Sequence, residues 1–427
     1  MLSQDLCNTY ESILIDELRP AMGCTEPIAI AYAAAILRDL LGEAPQAIKV
    51  ALSGNIIKNV KSVIVPATGG MHGIQAAVAA GIQSGRYDKK LELLSILTSE
   101  DRLQIQSYLE RCSITVSELN SNCTFDLLLV GSTDTCTARV QITGYHTNLV
   151  LAEINGENHL SNYTSKSAEN STKNPANRSL LNVKDIISFA EEADLTKLRP
   201  YLERQIEMNM TIATEGLKNQ YGASIGQLLY RDGNVSIKDK ARAYAAAGSD
   251  ARMSGCELPV CILSESGNQG ITASVPVIVY ARENQIDEET LLRALIVSDL
   301  ITVHQKTGIG CLSAYCGAIS AGCGCGAGIC YLAGGRYYEI AHTVVNAVAI
   351  LSGTICDGAK PSCAAKIAMA VEAGFMGFEM ANTGRQFYGG DGIITKGVEN
   401  TIRNIGHLAR DGMGETDKEI IRIMLKN

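Results

Sequence analysis

The sequence predicts an α+β protein that is mainly helical, and three observations carry that reading. Apolar residues recur at three- and four-residue spacing over most of the chain, as they do along amphipathic helices. Between residues 112 and 156 the period changes to two, in short runs separated by turn residues, as in strands. The stretch SNYTSKSAENSTKNPANRS at 161–179 is polar and has no period, so it reads as a linker. The expected arrangement is a helical domain built from both chain ends, with a small antiparallel α+β domain inserted. Residues 1–45 form the first helical part, 46–160 the insert, 161–181 the linker and 182–427 the rest.

Taken in order, helical patterning covers residues 5–42. Within it, GCTEPIAIAYAAA (23–35) contains a helix start, because Pro27 suits the first turn and Thr25 can cap. Cys24 at that start is either a small buried hydrophobe or a thiol among N–H groups that favour thiolate. AIKVALSG (47–54) reads as a strand delivering Ser53, Gly54 and Asn55 into a turn, and residues 99–110 read as a helix. SITVSEL, TFDLLLV, CTARVQIT and TNLVLAEING are short strands, the last two flanking GYH in a hairpin. From 182 onward the pattern is helical and rich in small residues.

Composition narrows the function. A net charge of −8 with no basic block argues against nucleic acid as a partner. MLSQDLCNTYESILIDELRP lacks the cationic start and apolar stretch of a secretory signal, and no run of lipid-compatible residues is long enough to span a membrane. GAISAGCGCGAGICYLAGG comes nearest, but its glycines suit close packing instead. Fourteen cysteines in a long chain, six of them from Cys311 to Cys356 and Cys363 just beyond, point to a cytoplasmic protein with reduced thiols.

The cysteines at 311, 316, 323, 325 and 330 match neither the paired C-x2-C of a zinc ribbon nor the spacing of a bacterial ferredoxin. Ligands to any metal would therefore come from separate segments. Two glycine–asparagine turns, SGNIIKN (53–59) and SGNQG (266–270), offer short polar side chains and exposed N–H groups suited to a substrate carboxylate. They make Ser53, Asn55, Asn59, Ser266 and Asn268 candidate substrate-binding residues. Lys58 in the first turn, His72 in PATGGMHG and Lys360 in CDGAK are candidate bases.

Together, GCTEP, SGNIIKNVKSVIVP, SGNQG, SAYCGA, CDGAK and DGIITKGVENTIRNIG resemble the iron–sulfur L-cysteine desulfidase family, related to the alpha chain of iron–sulfur L-serine dehydratase. The match runs over almost the whole chain, with the insert at 161–179 outside it. The resemblance implies a 4Fe-4S cluster on three cysteines, with the fourth iron open to substrate, and makes the helical domain the catalytic one. Carried over by motif, the ligands are Cys24 of GCTEP, Cys316 of SAYCGA and Cys356 of CDGAK. Cys323 competes with Cys316; it lies 33 positions before Cys356 where Cys316 lies 40, and the serine dehydratase spacing favours Cys316.

The implied reaction is an α,β-elimination on a small amino acid, L-cysteine giving pyruvate, ammonia and sulfide. Lys58 is the first candidate for its base, His72 and Lys360 the next. L-serine dehydration on the same cluster is the nearest alternative. Pyridoxal-phosphate elimination is a further one, suggested by SGNQG but poorly served by GCGAG as a phosphate loop. The last is a non-catalytic thiol-rich metal or amino-acid sensor. A homodimer is the expected assembly.

Overall fold

The computed structural model describes residues 2–121, 123–163, 176–231, 235–310 and 312–426. Most of the expected linker, residues 164–175, lies outside the described residues, as does Cys311.

Ser3 starts α1 (Gln4–Glu17) by accepting the Leu6 N–H. A short strand, β1 (Pro20–Met22), leads into α2 (Thr25–Leu41), which has Cys24 at its N-cap and ends at Gly42. β2 (Ala47–Leu52) follows, then α3 (Gly54–Val60), α4 (Gly73–Ser84) and α5 (Ser99–Arg111), the last fixed by a Thr98–Asp101 capping box. The strands β3 (Ser113–Glu118), β4 (Asp126–Ser132), β5 (Thr137–Thr143), β6 (Leu149–Ile154) and β7 (Glu157–Asn158) join β2 in one sheet of order β3-β2-β4-β5-β6-β7.

Neighbouring strands are antiparallel, as expected, except β2 and β3, which pair in parallel. The exception follows from topology: three helices intervene between those two strands, and parallel strands need such a crossover. Leu127, Leu129, Ala138, Val140 and Ile142 are fully buried in β4 and β5 at alternate positions. α2, apolar on nearly every face, packs over β4, β5 and β6, with α4 on its other side.

A short turn of helix, α6 (Leu160–Tyr163), closes this part. Beyond it come α7 (Val183–Glu192), α8 (Leu195–Lys218), α9 (Ile225–Leu229), α10 (Ile237–Met253), the strand β8 (Pro259–Cys261), α11 (Gly267–Glu283), α12 (Glu288–Ile309), α13 (Gly317–Leu332), α14 (Tyr337–Leu351), α15 (Cys363–Asn382), α16 (Val398–His407) and α17 (Gly414–Lys426). Helices make up 61% of the described residues. α13 is the central one, packed against α11, α12, α14 and α15. Its glycines permit that: a Cβ on Gly326 would lie 2.6 Å from the Gly374 carbonyl oxygen of α15.

The two ends of the chain meet. β1 pairs antiparallel with β8, α1 packs on α8 and α12, and α17 returns to pack on α3. Among the described residues, no helix is long and apolar enough to cross a membrane.

Candidate active site

Three cysteines far apart in sequence line one cavity of about 110 Å³. Cys24 caps α2 without spending its side chain on the helix, and Cys316 stands in the same way at the start of α13. Cys356 lies in the segment between α14 and α15. Backbone hydrogen bonds fasten the last two side by side: the Cys356 N–H donates to the Ala314 carbonyl at 2.6 Å and the Cys316 N–H to the Thr354 carbonyl at 3.1 Å. Cys24 packs in a small apolar cluster with Val63 and Met253, against Ala359 and a fourth cavity thiol, Cys363.

Burial pushes the Cys24 thiol up to about 12, with Arg252 pulling the other way. Burial, reinforced by Cys356, does the same to Cys316. With nothing bound, such thiols are protonated, and an electrophilic metal is what draws the proton off.

The polar half of the lining comes from α11, α10 and the sheet. Ser266 caps α11, and Asn268 and Gln269 follow in its first turn. Arg252, at the end of α10, is 5% exposed. Five buried polar atoms of this lining have no hydrogen-bond partner: Asn59 Oδ1, His146 Nε2, Arg252 Nε, Asn268 Oδ1 and Gln269 Oε1. Since buried polar groups are normally paired, this set is shaped for a polar ligand. Opposite, His146 arrives on the loop between β5 and β6, its Nδ1 2.5 Å from Glu265 Oε2. Ser264 and Glu265 both hold positive φ, at 47° and 63°, a strained backbone of the kind that gathers at working sites. The Thr25 hydroxyl donates to the Glu265 carbonyl at 3.0 Å, tying this turn to the Cys24 segment.

Residues 88–422 match the model of the serine dehydratase alpha chain. The chain belongs to the serine dehydratase alpha-chain family. Curated relatives are similar along their whole length. A UPF0597 protein of Desulfitobacterium hafniense (strain Y51) is 54% identical over 98% of this chain and 96% of its own. UPF0597 proteins of Treponema denticola and Finegoldia magna are 45% and 46% identical, again over 98% of this chain, and over 98% and 99% of theirs.

The serine dehydratase alpha-chain family is iron–sulfur dependent in general. Among the described residues, no three His, Cys, Asp or Glu side chains close around a single ion. A cluster asks for something different, one thiolate on each of three irons, so the sulfurs need not converge on a point. Four thiols line this cavity, Cys24, Cys316, Cys356 and Cys363, and their donor chemistry fits that demand with one thiol to spare. Cys323 does not line the cavity; it is 1% exposed within α13.

The structure brings together Cys24, Cys316, Cys356, Asn59, Ser266 and Asn268. It places the other candidates elsewhere. Ser53 and Asn55 line a second cavity between the segment that leads from β3 to β4 and α17, and the Ser53 hydroxyl donates to the Thr124 carbonyl at 2.8 Å. His72 is exposed at the N-cap of α4. Lys58 is buried behind the cavity, its Nζ 2.5 Å from Asp417 Oδ1 and 3.3 Å from the Cys356 carbonyl oxygen. Lys360 pairs with Asp357 at 2.5 Å, and Lys366, which does line the cavity, pairs with the same carboxylate at 2.6 Å. Against the effect of burial, those two lysines hold the Asp357 carboxyl down to about 2.

Arg252, His146 and Glu265 line the same cavity and are not among the residues the sequence pointed to. The first ends an unremarked helix. The second was visible only as part of GYH, in a hairpin loop that nothing in the sequence aims at the cysteines.

Proposed function

We propose that this chain is a lyase that uses a 4Fe-4S cluster for α,β-elimination on L-cysteine, giving pyruvate, ammonia and hydrogen sulfide. The observation that supports it is the meeting of Cys24, Cys316 and Cys356 in one cavity whose remaining wall carries unpartnered polar groups. The three thiols would hold the cluster, and an iron without a protein thiolate would supply a Lewis acid for the leaving group on Cβ.

The chain's own residues do the rest. Arg252 presents a fixed cation for the substrate carboxylate, a geometry Arg serves better than Lys. Asn268 Oδ1 and Asn59 Oδ1 are acceptors for the amino group, and together the three fix the Cα–H direction. Lys58 positions: it ties the Cys356 carbonyl to the C-terminal helix.

The match to the serine dehydratase alpha chain favours a second substrate, L-serine, on the same machinery. One experiment separates them. Protein purified without oxygen and reconstituted with iron and sulfide is assayed for sulfide and pyruvate from L-cysteine, and for pyruvate from L-serine. The same assay runs on Cys24→Ala, Cys316→Ala, Cys356→Ala and Cys323→Ala. Sulfide release lost in the first three and kept in the fourth is the expected result. Turnover of serine alone moves the substrate and keeps the site, and a full cluster in Cys316→Ala refutes the ligand set.

A further inference from the structure

His146 has the surroundings of a catalytic base. Its side chain is 3% exposed, yet the residue lines the cavity that holds the three cysteines. One ring nitrogen, Nδ1, is taken by Glu265; the other, Nε2, is buried and has no hydrogen-bond partner. The ring is held edge-on to Phe125, centroids 4.6 Å apart, so its plane is fixed by packing on one side and a carboxylate on the other. Glu265 is itself held by Arg19 at 2.7 Å.

Burial alone would raise the Glu265 carboxyl, but the hydrogen bond from His146 and the charge of Arg19 hold it down. An ionised carboxylate only accepts hydrogen bonds, so Nδ1 is the donor and the lone pair of a neutral ring sits on Nε2. This is the base-and-orienter pairing that general-base sites use. The two lysines on the cavity wall are occupied, Lys366 by Asp357 and the Ile355 carbonyl and Lys306 by the Gly310 carbonyl, and the Arg252 guanidinium is no base.

We propose that His146, through Nε2, is the general base that removes the substrate's α-proton, with Glu265 as its positioning residue. The proposal rests on the lyase reading above and names a residue for its proton step. Nε2 takes Hα as a proton, and the Cα–H electron pair becomes the Cα=Cβ bond. The Cβ–S pair leaves with sulfur. The proton on Nε2 then passes to the departing sulfur, which leaves as hydrogen sulfide. The enamine so formed tautomerises to an imine, and water hydrolyses it to pyruvate and ammonia. His146 is thereby returned neutral, ready for the next substrate.

The test compares wild type, His146→Gln and Glu265→Gln, all reconstituted with the cluster. Two quantities are read: turnover of L-cysteine and L-serine, and the change that substrate makes in the cluster's Mössbauer spectrum. In His146→Gln the substrate-induced spectral change should persist at unchanged half-saturation while turnover falls about 100-fold or more, the range a general base contributes. A merely structural role would lose both together. Glu265→Gln should lower kcat by a smaller factor and leave half-saturation alone. Wild-type turnover in a cluster-bearing His146→Gln overturns the base. Should His146→Gln fail to take up the cluster, an unchanged kcat in Glu265→Gln overturns it instead. A wild-type protein that turns over neither amino acid overturns the lyase reading, and the base with it.

Discussion

Asp417→Ala is the most exacting test of how the C-terminal helix supports the site. Lys58 is 3% exposed, and its Nζ sits 2.5 Å from Asp417 Oδ1. At an effective dielectric of about 20, that separation gives roughly 7 kcal/mol of gross attraction. The desolvation of both groups consumes much of it, so the pair matters chiefly for what its removal strands. An ammonium left in that position keeps one contact, the Cys356 carbonyl at 3.3 Å, and breaking a buried pair from one side costs about 3–5 kcal/mol. Asp417 is less buried than Lys58 at the side chain, 12% against 1% exposed, which places the expected loss near the lower end, about 3 kcal/mol. Removing both charges, as in Lys58→Met with Asp417→Leu, should restore most of that loss. The assay is urea unfolding of the cluster-free protein by circular dichroism, with iron content after reconstitution as a second reading. A loss under about 1 kcal/mol for Asp417→Ala, the worth of a solvated surface pair, refutes the reasoning.

Two further outcomes follow from buried groups. Asp299 lies fully buried in α12, its Oδ1 accepting from Gln205 and its Oδ2 unpartnered; burial raises its carboxyl to about 8. The folded chain therefore holds a proton there that an unfolded chain releases near pH 4, so the stability it contributes is complete below about pH 4 and lost as pH rises through 8. Asp299→Asn should flatten that decline, about 1 kcal/mol per pH unit, in melting curves from pH 5 to 8. Gly358 holds φ +93°, and a Cβ there would stand 2.4 Å from the Lys58 carbonyl oxygen. Gly358→Ala should therefore displace the Cys356 segment and lower iron content after reconstitution, and a fully loaded variant would speak against Cys356 as a ligand.

Much of this molecule was legible because its elements are locally consistent. The period-two runs after residue 112 became β3 to β6, and the glycine-rich segment at 317–332 became a close-packed helix, because spacing decides which face can be buried. The parallel pairing of β2 with β3 was not legible, since it depends on where three intervening helices send the chain. The two SGN turns show the limit most clearly. Both cap helices, α3 and α11, yet Ser266 and Asn268 face the cysteine cavity while Ser53 and Asn55 face the segment between β3 and β4, and α17. Three residues set the local backbone, and the surrounding fold sets where it points. His146 and Glu265 were out of reach for the same reason: their pairing joins a hairpin loop to a turn before α11, 119 residues apart.

Cys24 stands at the start of the second helix, and Cys356 only a few helices from the end. Between them the chain must lay down the sheet, cross to the helical part and return before the three sulfurs share a space. The cavity therefore needs most of the chain: until Cys356 is made one of its thiols is missing, and until α17 is made Lys58 lacks Asp417. On the function proposed above, iron offered to an unfinished chain would meet scattered cysteines, and iron offered to the finished fold would meet a pocket. Because a group that binds only the finished fold adds its binding free energy to that fold alone, a cluster held there would also tie the segments of Cys24, Cys316 and Cys356 to one another.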